Sequence, residues 1–264
     1  MPNLPLSSPP PRVLCIAGHD PSGGAGIIAD VQAVTALGCH PLTVITSLTV
    51  QDSRNVLAVE AVDTALMARQ LDLLIQDSRI DAIKIGLVGA PDQVPLLVRV
   101  IRKLDVPVVI DPVLRAGGGG DLAGAAVQQA LVEQLMPLAT VSTPNAIEAR
   151  RLAGRDDTDA SAAALLAQGC ASLLITGGDE PTPGWVHNQW HVAGREPRRW
   201  DWPRLPEGFH GSGCTLASAM AARLALGDAL EPALDHAQRW VHDALSRAYA
   251  IGQGRRIPNR LPTR

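Results

Sequence analysis

Aromatic residues are nearly missing from this chain of 264 residues, which has one Tyr and one Phe beside five Trp. A core built on rings is therefore excluded. It must come from Leu, Val, Ile and many Ala, a supply that suits close packing of helices on a sheet. Long basic runs are also missing, and the formal net charge is -3, which argues against a nucleic-acid-binding surface. No apolar run approaches the roughly 20 residues of a membrane span. The four cysteines, Cys15, Cys39, Cys170 and Cys214, lie far apart without a CxxC pair. That spacing gives no zinc or thioredoxin-like site, and a disulfide framework does not suit this length. The opening MPNLPLSSPPPR has neither the charged start nor the apolar middle of a secretory signal. It reads as a disordered Pro-rich leader over 1–12, followed by one domain over 13–264 of a cytoplasmic protein.

What is present is a regular alternation. VLCIA (Val13 to Ala17), LTVITSLTV, DAIKIG, PVVID, a short run at Thr140–Ser142 and SLLIT read as buried strands. Between and after them lie helical patterns over Ile27–Leu37, Ala65–Ile75, Gln93–Leu104, Leu122–Leu135, the stretch after PNAIEA, and Ser161–Ala167. Cys214–Leu226 and Pro232–Ala250 read as two closing helices. Runs that are apolar throughout indicate strands covered on both faces. Strand–helix–strand order indicates parallel pairing with right-handed crossovers. The Trp-rich pieces between Trp185 and Trp202 break the pattern and read as a small antiparallel edge. In a doubly wound sheet, ligands sit beyond the carboxyl ends of the strands. The loops after Ala17, Thr46, Ile85, Ile110 and Ile175 are therefore the candidates.

Five constellations fall there. GHDPSGGAG, Gly18 to Gly26, lets the backbone approach a ligand and point amides at it, or is simply a tight turn. It is neither G-x-G-x-x-G nor a Walker A loop. Gln51 ends an apolar strand, and its amide offers an acceptor and donors side by side. That matches an aminopyrimidine edge, although taken alone a surface Gln is the better reading. In VVIDPVLRAGGGGD, Asp111 suits Mg²⁺, directly or through water. Gly117–Gly120 suit closure on phosphates or are a bare connector. In TPNAIEA, Asn145 and Glu148 share one helix face, where they serve a metal or form a capping box. The fifth is FHGSGCTLASA. Ser212 or Gly211 starts a helix whose first N–H groups are free for a phosphoryl group. Cys214 stands at that positive end, where its thiol pKa is expected to fall. Read alone, it is better taken as a small buried hydrophobe.

Together these segments resemble the ribokinase-like superfamily, and within it the hydroxymethylpyrimidine/phosphomethylpyrimidine kinases. The resemblance runs from Val13 to about Pro258. It rests on IAGHDPSGGAGIIADVQA, KIG at Lys84–Gly86, DPV at Asp111–Val113, TPN at Thr143–Asn145 and GSGCTLASA, in family order. It implies an α/β fold, a ribokinase-like three-layer αβα sandwich with a mostly parallel central sheet and a small antiparallel edge. It also implies ATP-dependent phosphorylation of 4-amino-5-hydroxymethyl-2-methylpyrimidine and of its monophosphate, with Mg²⁺, in a homodimer. By the resemblance, Cys214 would be the base and Gly211, Ser212 and Gly213 the anion hole. Gln51 would hold the aminopyrimidine, with Gly18, Asp30, Val113 and Leu87 near its ring. Asp111 and Glu148 would manage Mg²⁺, while Asn145, Arg115 and Thr176, Gly177 and Gly178 would border ATP.

The chain departs from that pattern at His19 (usually Thr or Ser), Leu87 (commonly Met) and Leu114–Arg115–Ala116. It departs also at Thr176, where a Lys is frequent. The last two departures touch phosphate handling, and Arg115 offers a replacement charge. A pyridoxal kinase and a non-catalytic pyrimidine sensor remain as alternatives.

Overall fold

Alternation along the first strand, β1 (Arg12–His19), divides the molecule into its layers. Leu14 and Ile16 join one buried cluster with Met67, Leu71, Ile83, Ile85 and Leu97. Val13, Cys15 and Ala17 join another with Val34, Leu216, Met220 and Val241. Successive strand side chains point to opposite faces, so a strand apolar at every position has helices on both sides. The computed structural model describes residues 9–114 and 122–261. Arg115 and the Gly117–Gly120 loop, both expected to meet phosphates, lie outside the described residues, as does most of the leader. Arg12 already belongs to β1, and the Pro11 carbonyl accepts from His40 N–H at 2.8 Å.

The remaining strands are β2 (His40–Gln51), β3 (Val56–Ala61), β4 (Ala82–Ile85), β5 (Val108–Ile110) and β6 (Val141–Ser142). β7 (Ser172–Ile175), β8 (Trp185–Val192) and β9 (Arg198–Pro203) complete the set. They form one nine-stranded sheet in the order β3-β2-β1-β4-β5-β6-β7-β8-β9. The six inner strands are parallel, and β3, β8 and β9 pair antiparallel. Helices α2 (Thr64–Asp77), α3 (Gln93–Leu104) and α4 (Ala125–Ala130) cover one face. α5 (Ala146–Ala153) and α6 (Thr158–Ala167) continue that layer under Leu173 and Ile175. α1 (Gly26–Ala36), α7 (Ser212–Ala225) and α8 (Leu230–Ser246) cover the other. The sandwich and the Trp-rich antiparallel edge are as expected from the sequence.

Three elements differ. β3 is not among the expected strands: its residues are mostly half-buried or exposed, so VLAVEA carries no buried-strand signature. A turn builds it, with Asp52 Oδ1 accepting from Arg54 N–H (2.8 Å) and Asn55 N–H (3.0 Å). The helix expected over Leu122–Leu135 is α-helical only over Ala125–Ala130, then widens into a π turn at Leu131–Leu135. The last helix stops at Ser246 rather than near Ala250.

β1 has β2 on one side and β4 on the other. The crossover through α1 leads from β1 to β2, whereas the one through α2 brings the chain back to β4 on the other side of β1, so the connections diverge there and a crevice opens beyond its carboxyl end.

Candidate active site

Two adjoining cavities occupy that crevice. The smaller, about 210 Å³, is bounded by the loops after β1, β2, β4, β5 and β6, including Gly18, Gln51, Leu87, Val113 and Asn145. The larger, about 350 Å³, lies toward the β8–β9 edge between Val186, Trp202, Leu216 and Val241, with Asn188 and Gln238 as polar contacts. They share Thr176, Gly178, Asp179, Phe209, Ser212, Gly213 and Arg255. The small chamber suits one heterocycle, and a Cβ on Gly18 would stand 2.8 Å from Ser47 Oγ and 3.0 Å from Leu87 Cδ2. The larger is of the size a nucleotide needs.

The seam between them is the start of α7. Gly211 is its N-cap at φ 80, left-handed backbone that favours glycine. A side chain there would also collide with the Gly24 carbonyl and approach Arg260 Nη2 to 2.9 Å. No side chain caps this helix. Its first amides, on Ser212, Gly213 and Cys214, are left for an anion at the positive end of the dipole.

Beside this seam stand two buried carboxylates. Asp111 follows β5, and a Cβ on Gly213 would lie 3.6 Å from its Oδ2. Glu148 is at the third position of α5. Of the two readings of the TPNAIEA segment, the capping box is formed between Asn145 and Glu148. Asn145 Oδ1 accepts from Glu148 N–H (2.8 Å), and Glu148 Oε2 accepts from Asn145 N–H (3.0 Å). Glu148 Oε1 reaches across to Leu114 N–H at 3.2 Å. Burial raises the pKa of both carboxylates, and the charge of Asp111 raises Glu148 further. Buried carboxylates held above their ordinary range fit a divalent cation, whose charge offsets the desolvation. Among the described residues no group of three or more His, Cys, Asp or Glu gathers round one point. Such an ion would draw its remaining ligands from phosphates and water, as Mg²⁺ commonly does.

The structure corrects two expectations. Asp30 does not line the small cavity. It is wholly buried one layer behind, where its oxygens accept from Lys84 Nζ at 2.7 and 2.9 Å and from Ser218 Oγ at 2.7 Å. Lys84 points from β4 toward α1, and a buried ammonium needs a carboxylate partner. Although burial works to lower it, the charges of Asp30, Cys214 and Asp111 hold the Lys84 ammonium above its usual range. The predicted fall of the Cys214 pKa is reversed. Burial pushes this thiol up to about 12, with Lys84 pulling down and Asp111 and Asp30 pushing up. The helix end still favours a thiolate, but desolvation and two carboxylates outweigh it. Cys214 nevertheless lines the cavity.

The remaining predicted residues divide plainly. Gly18, Gln51, Leu87, Val113, Asp111, Asn145, Glu148, Thr176, Gly178 and Gly211 to Cys214 come together around the cavities. Gly177 lies behind them, its N–H donating to Asn188 Oδ1 at 3.1 Å.

Sequence reasoning missed a clamp on this seam. Asp20 Oδ2 pairs with His210 Nε2 at 2.8 Å and accepts from Ala25 N–H at 2.8 Å, while Oδ1 accepts from Ser22 N–H at 2.8 Å. Burial raises the Asp20 pKa, but hydrogen bonds from His210, Ser22, Gln51 and Ala25 outweigh it and hold the carboxyl well below its usual range. Arg260, almost wholly buried, adds a second tie. Its Nη2 donates to the Gly24 carbonyl at 2.5 Å and its Nε to Thr215 Oγ1 at 2.9 Å. The one local signal was Asp20 before Pro21, a turn dipeptide. Its partner is 190 positions away.

A family model described as phosphomethylpyrimidine kinase matches residues 20–259. The hydroxymethylpyrimidine/phosphomethylpyrimidine kinase of Mycobacterium tuberculosis is 37% identical over 262 residues, covering 95% of each chain. A thiamine biosynthesis bifunctional protein of Geobacter sulfurreducens is 37% identical over 256 residues, covering 94% of this chain and 52% of that longer one. Among solved structures, the ADP complex of Bacillus subtilis pyridoxal kinase superposes with a TM-score of 0.87 at 30% identity. That match covers 95% of this chain and 97% of the other.

Proposed function

Because the chain belongs to the phosphomethylpyrimidine kinase family, we propose the following reaction for it. It transfers the γ-phosphoryl group of ATP to the 5-hydroxymethyl group of 4-amino-5-hydroxymethyl-2-methylpyrimidine. A second transfer to the monophosphate gives the diphosphate used in thiamine biosynthesis. The observation that carries this reading is the meeting of a small and a large cavity at the uncapped start of α7. The pyrimidine occupies the small chamber with its amino edge on Gln51. The nucleotide base lies in the larger one, and the transferred group rests on the amides of Ser212, Gly213 and Cys214.

In the first transfer the hydroxyl oxygen bonds to the γ-phosphorus while the bond to the β,γ-bridging oxygen breaks. The electron pair of that bond leaves with ADP. The proton of the hydroxyl passes to Cys214. A thiol raised to about 12 is a thiolate only in small fraction at neutral pH, but that fraction is a strong base. Phosphoryl transfer rests mainly on positioning and charge neutralisation, which the α7 amides provide. In the second transfer the attacking phosphate oxygen is already ionised, so no proton need be removed. Asp111 and Glu148 would hold Mg²⁺, which supplies positive charge beside the phosphates.

A homodimer also belongs to this reading, supported by Leu48, Val50 and Leu57 exposed on the β2–β3 edge. A cytoplasmic location, where ATP is supplied, accords with four free cysteines. Among the described residues no helix is long and apolar enough to cross a membrane.

Following ³¹P signals with Mg·ATP and the hydroxymethylpyrimidine tests the reading, with monophosphate and then diphosphate expected. The likeness to Bacillus subtilis pyridoxal kinase favours phosphorylation of vitamin B6 as a second reading. Vitamin B6 lacks the ring amino group that Gln51 would hold, so turnover of pyridoxine is expected to be the slower. Faster pyridoxine turnover would reverse the order of the two readings, and no product from either would favour a sensor.

A further inference from the structure

Four carboxylates face the small cavity, those of Asp20, Asp111, Glu148 and Asp179. That is a poor setting for an acceptor which itself carries a phosphate. Among the described residues lining the two cavities, the arginines are Arg204 and Arg255, and there is no lysine. Arg204 is spent on backbone carbonyls. Its guanidinium donates to Thr182 (2.9 Å), Gly178 (2.9 Å), Gly177 (3.4 Å) and Glu180 (2.6 Å). Arg255 lines both cavities, is exposed, and pairs with no described residue through its guanidinium.

The backbone under Arg255 is held from two sides. Arg255 N–H donates to the Ser53 carbonyl (3.2 Å) and Gly254 N–H to Ser53 Oγ (3.0 Å), just past Gln51. Arg256 N–H donates to the Gly208 carbonyl (3.3 Å), and the Arg256 carbonyl accepts from His210 N–H (2.9 Å), just before Gly211. The residue is thus fixed between the loop that carries the proposed pyrimidine amide and the segment that leads into the anion site.

Resting on the function proposed above, we infer that Arg255 binds the phosphate of the monophosphate acceptor and so serves chiefly the second transfer. In the first transfer the seam holds only the γ-phosphoryl of ATP, which the α7 amides and Mg²⁺ can serve. In the second, a phosphate monoester enters beside it and adds about −1.5 to −2 charge at neutral pH. A guanidinium matches phosphate oxygens with two parallel donors. Among the described residues of the cavity wall there is no other uncommitted arginine or lysine.

The experiment compares both acceptors, the hydroxymethylpyrimidine and its monophosphate, in wild type, Arg255→Ala, Arg255→Lys and Arg256→Ala. Charge-assisted bonds of this kind are worth about 10- to 100-fold in affinity. Arg255→Ala should raise KM for the monophosphate by about that factor, and its Kd by calorimetry likewise, while KM for the alcohol moves less than about threefold. Arg255→Lys should restore part of the loss, because it keeps the charge but not the fork. Arg256, whose guanidinium already contacts the Ala248 carbonyl and Glu207, should leave the ratio of the two KM values unchanged when replaced by Ala. Equal losses on both acceptors, no loss, or a loss shared by Arg256→Ala would overturn the inference. Failure of the wild type to turn over either acceptor would instead sink the proposed function, and this inference with it. That arm is read before any variant.

Discussion

Removing either member of the Lys84–Asp30 pair leaves a lone charge that water cannot reach, since both side chains are fully buried. Breaking such a pair typically costs about 3–5 kcal/mol. Asp30→Ala should therefore lower stability by that order in urea titrations, whereas joint replacement by Lys84→Met and Asp30→Leu should recover much of it. A near-neutral Asp30→Ala would show that the pair is relaxed by water. Cys214 is the base in the proposed reaction. General-base help is usually worth about 10²–10⁴-fold, so Cys214→Ala should slow the first transfer by that order and the second by less. The sign of the pH dependence follows from burial. A base raised to about 12 must lose its proton to act, so the first-transfer rate should climb with pH through the neutral range and beyond. A flat profile in the wild type would assign the proton to another group.

Among the elements, the β1–α1 turn and the start of α7 form one unit, held by Asp20–His210 and by Arg260. The Asp20 carboxyl lies below its unfolded value, so the stability it lends is present above about pH 4 and is lost as pH falls through its folded pKa. His210→Ala removes one of the bonds that depress it. Acid unfolding of that variant should begin at higher pH than in the wild type, and the anion site should bind ATP more weakly. Asp111 and Glu148 run the other way. Their folded values lie above the unfolded ones, so their contribution is full below about pH 4 and is lost as pH rises through neutrality. Without metal, the thermal midpoint should fall as pH is raised from about 5 to 9, and millimolar Mg²⁺ should flatten that slope. An unchanged slope with Mg²⁺ would argue against a metal at these carboxylates.

At the scale of the whole molecule, the exposed Leu48, Val50 and Leu57 lie on an edge built by β3. Leu57→Asp should shift sedimentation from dimer toward monomer if this edge is the interface. Unaltered sedimentation would place the contact elsewhere. The sequence by itself determined the layered sheet, because VLCIA, AIKI, VVI and SLLI are apolar at nearly every position, Lys84 being the charged exception, and lack the alternation of a strand with one wet face. It also pointed to segments that line the cavities, since Gly18 and Gln51 stand at the ends of β1 and β2, Asp111 follows β5 and GSGC opens α7. It did not reveal β3, whose half-exposed residues carry no periodic signal, nor the partners of Asp20, Lys84 and Arg260, which lie far off in the chain. Cys214 shows the division most clearly. A helix start is local, and the sequence located it correctly; desolvation and the charges of Asp30, Lys84 and Asp111 are set by packing. Only the tertiary structure could decide which way that thiol titrates.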